Sequence, residues 1–272
     1  MHKVAWVTAG VLFCLVAPSR AVTDAARAPR VVRLAHWHFS KDGGASGRVA
    51  VPHDWAIAGP FDPGAPGGTG KLPWVADGEY RTTFTLDATP EHARLEFDGV
   101  MAWPEVFVNG RKVGGWDFGY MSFDCDVTGV VRPGANEVVV KASTRAHRSR
   151  WYPGGGIYRE VRLVTEARDH VVPGSVFIRS ALRADGSAVV TAEWTMSETG
   201  PRTRKTTIAE PRLWSVEEPN LYEMEIAGRT YRYGIRTVEW TADDGFHLNG
   251  RRVQLQGVNL LTVKGGRVVY KK

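Results

Sequence analysis

The chain has 272 residues, 43% hydrophobic and 24% charged, proportions that exclude a disordered or collagen-like polypeptide. Its 30 glycines and 15 prolines are too many for a helical protein and suit short strands joined by turns. A net charge of +6 permits an anionic partner without requiring one.

At the start of the chain, His2 and Lys3 precede an apolar run from Val4 to Ala17, and Pro18-Ser19-Arg20-Ala21 follows with small residues placed for cleavage. This is the pattern of a secretory signal peptide over residues 1–21, and it predicts a secreted or periplasmic protein with no membrane attachment after cleavage. The apolar run is shorter than the roughly 20 residues that a spanning helix needs. Removing the leader, with Cys14, leaves Cys125 as the lone cysteine. With no internal disulfide to help, the fold must rest on its core. Cys125 alternates with Phe123 and Val127, which predicts a small core residue rather than a nucleophile.

Period-two alternation recurs along the chain. Tyr80, Thr82, Phe84 and Leu86 fall on one face of a strand and Arg81, Thr83 and Thr85 on the other. Leu95 with Phe97, and Val138 with Val140, repeat the pattern between turn residues, as in the half-buried strands of an antiparallel sandwich. Asn109-Gly110 and Asn249-Gly250 each sit between alternating runs. Both residues tolerate the positive φ that a two-residue hairpin turn demands. The one helix candidate, Thr89 to Arg94, is about one turn long. Gly59 to Pro73 reads as a long loop. Its Gly64, Gly67, Gly68, Gly70 and Lys71 nearly match a phosphate-binding loop, but the spacing is off and Leu72 replaces the magnesium-binding hydroxyl, so no nucleotide site is expected. Composition changes near Glu166 to Pro173 and near Thr241 to Gly245 predict domain boundaries, dividing the chain into 22–167, 168–242 and 243–272.

Several side chains could carry chemistry. His36 and His38 share a strand face, but no third ligand is spaced to complete a metal site. Glu79, Glu96, Glu105 and Glu160 lie in strand-like runs and read as solvent-facing charges rather than general acids. The basic runs Arg145 to Arg150 and Arg202 to Lys205 lack interleaved aromatics and a recognition helix, so no nucleic-acid partner is expected. Trp55 and Trp214 read as core anchors. Trp74, Trp116 and Trp151 are the candidates for an exposed platform on which a carbohydrate ring could stack.

Val51-Pro52-His53-Asp54-Trp55, followed by Gly59-Pro60-Phe61-Asp62, resembles the start of the sugar-binding domain of glycoside hydrolase family 2, in its β-galactosidase-like branch. Further pieces follow in the family's order: Gly70-Lys71-Leu72-Pro73, Phe97-Asp98-Gly99-Val100, Val106-Phe107-Val108-Asn109-Gly110 and Gly119-Tyr120-Met121-Ser122-Phe123. Ser149-Arg150-Trp151-Tyr152-Pro153-Gly154-Gly155-Gly156-Ile157-Tyr158-Arg159 is similar to the family signature where its first domain hands over to its second. Pro211-Arg212-Leu213-Trp214-Ser215 resembles the end of the immunoglobulin-like domain. Phe246 to Gly250 with Gly257-Val258-Asn259 resembles the start of the catalytic barrel.

The resemblance implies an all-β protein, a jelly-roll β-sandwich followed by a shortened immunoglobulin-like β-sandwich. The second spans 70 residues from Val171 to Trp240, room for about five strands, against roughly 100 residues for a full domain. In the family, two glutamates of a (β/α)₈ barrel retain the anomeric configuration with carboxyls about 5 to 5.5 Å apart. Such a barrel takes about 250 residues, whereas 13 residues follow Asn259. Residues 243–272 are therefore expected to be a remnant of the barrel's start, with no catalytic residue, cofactor or metal. What the resemblance leaves is a carbohydrate partner, a terminal β-linked sugar such as a galactoside, contacted by Ser149, Arg150, Trp151, Tyr152 and Asn259. Arg148 stands where relatives carry an acid. A guanidinium only donates, so sugar hydroxyls would lose an acceptor there.

Overall fold

The structure, a computed structural model, describes residues 28–65, 70–255, 262–264 and 267–269. The leader 1–21, Gly67, Gly68 and Asn259 lie outside the described residues. The described residues hold strands, turns and loops, and no helix among them is long and apolar enough to cross a membrane.

The first ten strands are β1 (Arg30–Arg33), β2 (His36–Lys41), β3 (Gly47–Ala50), β4 (Asp77–Leu86), β5 (His92–Phe97), β6 (Glu105–Val108), β7 (Arg111–Gly115), β8 (Phe123–Asp126), β9 (Gly134–Ser143) and β10 (Val161–Glu166). They form a six-stranded sheet in the order β3-β2-β4-β9-β6-β7 and a four-stranded sheet in the order β1-β10-β5-β8, all antiparallel. From β4 to β10 the chain keeps switching between the two sheets, the winding of a jelly roll. Alternation along β4 puts Tyr80, Phe84 and Leu86 inside and Arg81, Thr83 and Thr85 outside, as their spacing predicts. The inner faces of the two sheets share one core built on Trp37, Tyr80, Leu95, Phe97, Val106, Val138, Val140 and Leu163. Burial of each large ring there is worth on the order of 3 kcal/mol. Cys125 lies in the same core, and burial pushes its thiol up to about 12, so it behaves as an apolar side chain.

Where tertiary partners decide, the local reading differs. Thr89 to Arg94 holds no helix, because His92–Phe97 is the β5 strand, hydrogen-bonded between β10 and β8. A one-turn propensity does not compete with two flanking ladders.

The second unit contains β11 (Phe177–Leu182), β12 (Ala188–Met196), β13 (Gly200–Ile208), β14 (Tyr222–Ile226) and β15 (Arg229–Tyr233). A three-stranded sheet, β11-β12-β13, and the hairpin β14-β15 share a small core of Ala188, Val190, Ala192, Trp194, Met196, Met224, Ile226 and Ile235. Strand β13 contributes almost nothing to that core. Instead the Arg204 guanidinium lies 5.6 Å from the Trp194 ring centroid and donates to the Glu225 carbonyl at 2.7 Å, closing the open side where a further strand would lie.

Beyond it, β16 (Val238–Thr241), β17 (Gly245–Leu248) and β18 (Arg251–Arg252) pair in one antiparallel sheet, and β19 (Thr262–Lys264) pairs with β20 (Arg267–Val269). Thr241 to Gly245, where the composition changes, is the turn of the β16–β17 hairpin. Polar turn residues mark a reversal within a sheet as readily as a linker between domains.

Both Asn-Gly pairs form two-residue hairpin turns. At the β6–β7 turn, Asn109 and Gly110 have φ of 49° and 80°. Asn109 Nδ2 donates to the Val130 carbonyl and to Asn136 Oδ1, and Oδ1 accepts from the Glu137 amide, so the turn is stapled to β9. Asn109→Ala loses the left-handed preference and all three bonds. Urea unfolding should show a loss of about 2 kcal/mol with an unchanged m-value.

Candidate sugar-facing site

The two most distinctive motifs, Val51 to Trp55 and Ser149 to Arg159, lie side by side. The His53 amide donates to the Ile157 carbonyl at 2.7 Å and the Trp55 amide to the Gly155 carbonyl at 3.0 Å. On its other side Gly156 exchanges two backbone bonds with Met101, at 2.7 and 2.9 Å. The three glycines make this approach possible. A Cβ on Gly154 would lie 2.9 Å from Asp54 Oδ2, one on Gly155 would overlap the Trp55 indole, and one on Gly156 would overlap the Tyr80 hydroxyl. Gly156 also has a φ of 112°, which side chains rarely adopt. Close backbone approach is therefore what these glycines provide.

Side chains lock the seam. Asp54 Oδ1 accepts from the Ala56 amide, and the Tyr152 hydroxyl donates to both Asp54 oxygens at 2.8 and 2.9 Å. Burial, then the Asp54 charge, pushes the Tyr152 phenol far above its usual range. His53 Nδ1 lies 2.8 Å from the Tyr80 hydroxyl, and burial lowers the His53 pKa against the pull of Asp54. Trp55 is buried and donates from Nε1 to the Trp74 carbonyl, the anchor its position predicts.

Tyr152 faces inward, while Trp151 beside it is 61% exposed. Its indole donates to the Tyr120 hydroxyl at 3.0 Å, Phe118 packs edge-on against Tyr120, and Trp116 and Met121 are also exposed. Loops 116–122 and 145–152 thus present one aromatic surface. Ser149 and Arg150 flank it: Ser149 Oγ accepts from the Trp151 amide, and Arg150 is solvent-exposed. Of the predicted platform candidates, Trp116 and Trp151 are exposed, but Trp74 is only 3% exposed and edge-packed on His147. That candidate is corrected: a ring count does not say which rings face out.

The remaining chemistry-bearing residues are engaged locally. Arg145 pairs with Asp77 and Asp42, and Arg148 turns back onto the carbonyls of Arg145 and His147. Lys71 donates to the carbonyls of Pro63 and Ala65 inside its own loop, leaving no ammonium aimed at a phosphate. Glu79 pairs with Arg81, Glu105 with Lys112, and Glu160 with Arg33 and Arg162. Lys112 lowers the Glu105 pKa, the opposite of what a general acid needs. Glu96 is half-buried among Arg94, Arg162 and Arg229 rather than facing solvent. His36 and His38 line an open groove of about 930 Å³ with Arg48 and Arg81, cations that disfavour a bound metal. Sequence reasoning missed the cluster of His92, Glu166 and His170, since nothing local links residues so far apart in the chain.

Comparison with known proteins identifies relatives of the two β domains. The profile described as "Glycosyl hydrolase 2 galactose-binding domain-like" matches residues 62–154, and that of "Glycosyl hydrolases family 2" matches residues 161–236. A β-galactosidase of Bacteroides ovatus is 32% identical over 76% of this chain and 30% of its own length. A β-glucuronidase of Bacteroides fragilis is 26% identical over 82% of this chain and 40% of its own. A β-glycosidase of Bacteroides vulgatus superposes with a TM-score of 0.73 and 26% identity, covering 84% of this chain and 37% of the other. Two successive β domains of this kind are those of a carbohydrate-active enzyme family. The chain belongs to glycoside hydrolase family 2 and spans well under half the length of these relatives.

Gly155→Ala tests the seam. Forcing a methyl group into the Trp55 indole should cost about 2 to 3 kcal/mol in chemical unfolding and should blue-shift or broaden Trp55 emission.

Proposed function

We propose that this chain works as the non-catalytic β portion of a secreted or periplasmic exo-β-glycosidase of the β-galactosidase-like type. In this reading it presents the loop from Arg145 to Tyr152 to a terminal β-linked sugar. The observation that carries the reading is the exposed Trp151–Tyr120 surface standing on the Asp54–Tyr152 seam. Rings stack on the apolar face of a pyranose, and Arg150 and Ser149 donate to its hydroxyls. Bond cleavage itself needs two carboxyls held across the glycosidic bond, one protonating the leaving oxygen and one attacking the anomeric carbon. Glu79, Glu96, Glu105 and Glu160, which the sequence does not mark as general acids, are paired with arginine or lysine. Secretion rests on the leader-like residues 1–21, and the galactoside preference on the B. ovatus relative.

A second reading, a carbohydrate-binding module that acts alone, is favoured by the same aromatic surface being open to solvent. Two experiments separate the readings. The purified chain should release no chromophore from a nitrophenyl β-galactoside, and sustained turnover after rigorous removal of contaminants would overturn the first reading. Saturable quenching of tryptophan fluorescence by galactosides, abolished in Trp151→Ala, would establish the second, whereas a flat titration would dismiss it.

A further inference from the structure

The two β domains meet over ionisable groups that sugar recognition does not use. Strand β5 supplies His92, Arg94 and Glu96, β8 supplies Asp126, and the end of β10 supplies Glu166. The connecting segment adds Arg168, Asp169 and His170, and β15 of the second domain adds Arg229. Arg94 is 2% exposed and donates to Glu166 Oε1 and, at 2.9 Å, to Glu96 Oε1. Arg229 reaches the same acids from the other domain, 3.6 Å from Glu166 Oε2 and 4.0 Å from Glu96 Oε1. Over this network the His92 and His170 rings stack, with centroids 3.8 Å apart and planes 16° from parallel. His92 Nδ1 lies 3.3 Å from Glu166 Oε1. His170 Nδ1 lies 2.8 Å from the Arg168 carbonyl, and its amide donates to Ser197 Oγ on the β12–β13 turn.

Two histidines and a glutamate invite a metal, but the geometry argues against one. A metal bonds an imidazole nitrogen in the plane of the ring, and two nearly parallel rings in contact cannot both aim at one ion. Glu166 also already faces two guanidiniums, which oppose a further cation.

We propose that the stacked His92–His170 pair is a pH-sensitive latch, holding the second β domain against the first while the rings are neutral and releasing it when both are protonated. Neutral rings stack favourably. Two imidazolium ions at this separation repel, and Arg94 and Arg229 add to the repulsion. Of the acids nearby, Glu166 is shared between His92 Nδ1 and those arginines, and Asp169 is held by Thr199 and the amide of Glu198, leaving Asp126 and a part share of Glu166 to offset the charge. Burial, then the charges of His170 and Arg94, hold His92 below its ordinary pKa against the pull of Asp126. The sign follows: the latched state binds fewer protons than the released one, so release takes up protons. The junction is fully favoured above about 6.5 and weakens as pH falls through that value toward the lowered pKa of His92.

Small-angle scattering of the full chain at about pH 7.5 and about pH 5 tests this. The radius of gyration should rise reversibly by about 10% at the lower pH. His92→Phe combined with His170→Phe, which keeps the stack but cannot take a proton, should stay compact at both. A wild-type chain that does not expand, or a double variant that expands equally, overturns the latch. Should the double variant fail to fold, imidazole proton resonances of the wild-type chain decide. A coupled titration with one group well below 6.5 supports the latch, and two independent titrations at the ordinary value overturn it. Zinc that raises the wild-type melting temperature but not that of the double variant would show a metal site and overturn it likewise.

Discussion

The first sandwich depends on one close approach, between the backbone of His53 to Trp55 and that of Gly155 to Ile157. The contact works only without side chains on the glycine side, because the space a Cβ would need is filled by the Trp55 indole and the Tyr80 hydroxyl. Its consequence lies a few residues before Gly155. Tyr152 is drawn in to bond both oxygens of Asp54, and Trp151, pointing the opposite way, is held out at the surface. A loop is ordinarily the mobile part of a β-sandwich. Here a half-buried carboxylate–phenol pair and a run of close-packed glycines give the exposed ring a fixed base, which is what stacking on a rigid sugar face requires.

How far the sequence foretold this depends on whether the cause is local. The alternation along β4 and the positive φ of the two Asn-Gly turns are properties of a few adjacent residues, and both appear where the pattern puts them. The β14–β15 turn has the same geometry, with φ of 47° at Ala227 and 75° at Gly228, but alanine gives no signal of it. His92 to Arg94 reads as helical by itself and becomes a strand because β8 and β10 lie on either side. The same limit explains Trp74 and the His92–His170 stack. Whether a ring is buried, and which ring it meets, is decided by segments scores of residues apart. The family motifs were more legible than any of these because they encode the seam, where several side-chain choices must agree at once.

Charge tells a parallel story. Part of the formal charge of +6 is engaged locally, since Arg145, Arg148 and Arg162 each meet a carboxylate or a carbonyl of the same domain. In the second domain, arginine stands in for structure. Arg204 crosses from an exposed edge strand, covers Trp194 and satisfies a carbonyl of β14 that no neighbouring strand reaches. A planar, always-charged group suits the task. It can lie flat on a ring while its outer nitrogens stay hydrated, and its charge discourages another chain from adding to the free edge.

Under the proposed function, these features would divide the labour of carbohydrate recognition in a physically sensible way. Aromatic faces and guanidinium donors bind a sugar about equally well in its ground state and during cleavage, so they contribute affinity and position without lowering the barrier. Barrier lowering belongs to groups that meet charge as it develops, a proton donor with a raised pKa and a carboxylate aimed at the anomeric carbon. Glu79, Glu96 and Glu105 each sit beside arginine or lysine, and Lys112 moves the pKa of Glu105 downward. A carboxyl held as an anion by a neighbouring cation is a good strut and a poor acid. In the proposed role, the described residues form a scaffold that places an aromatic surface. The tightness of the seam beneath Trp151, more than any titrating group near it, sets how well that placement is kept.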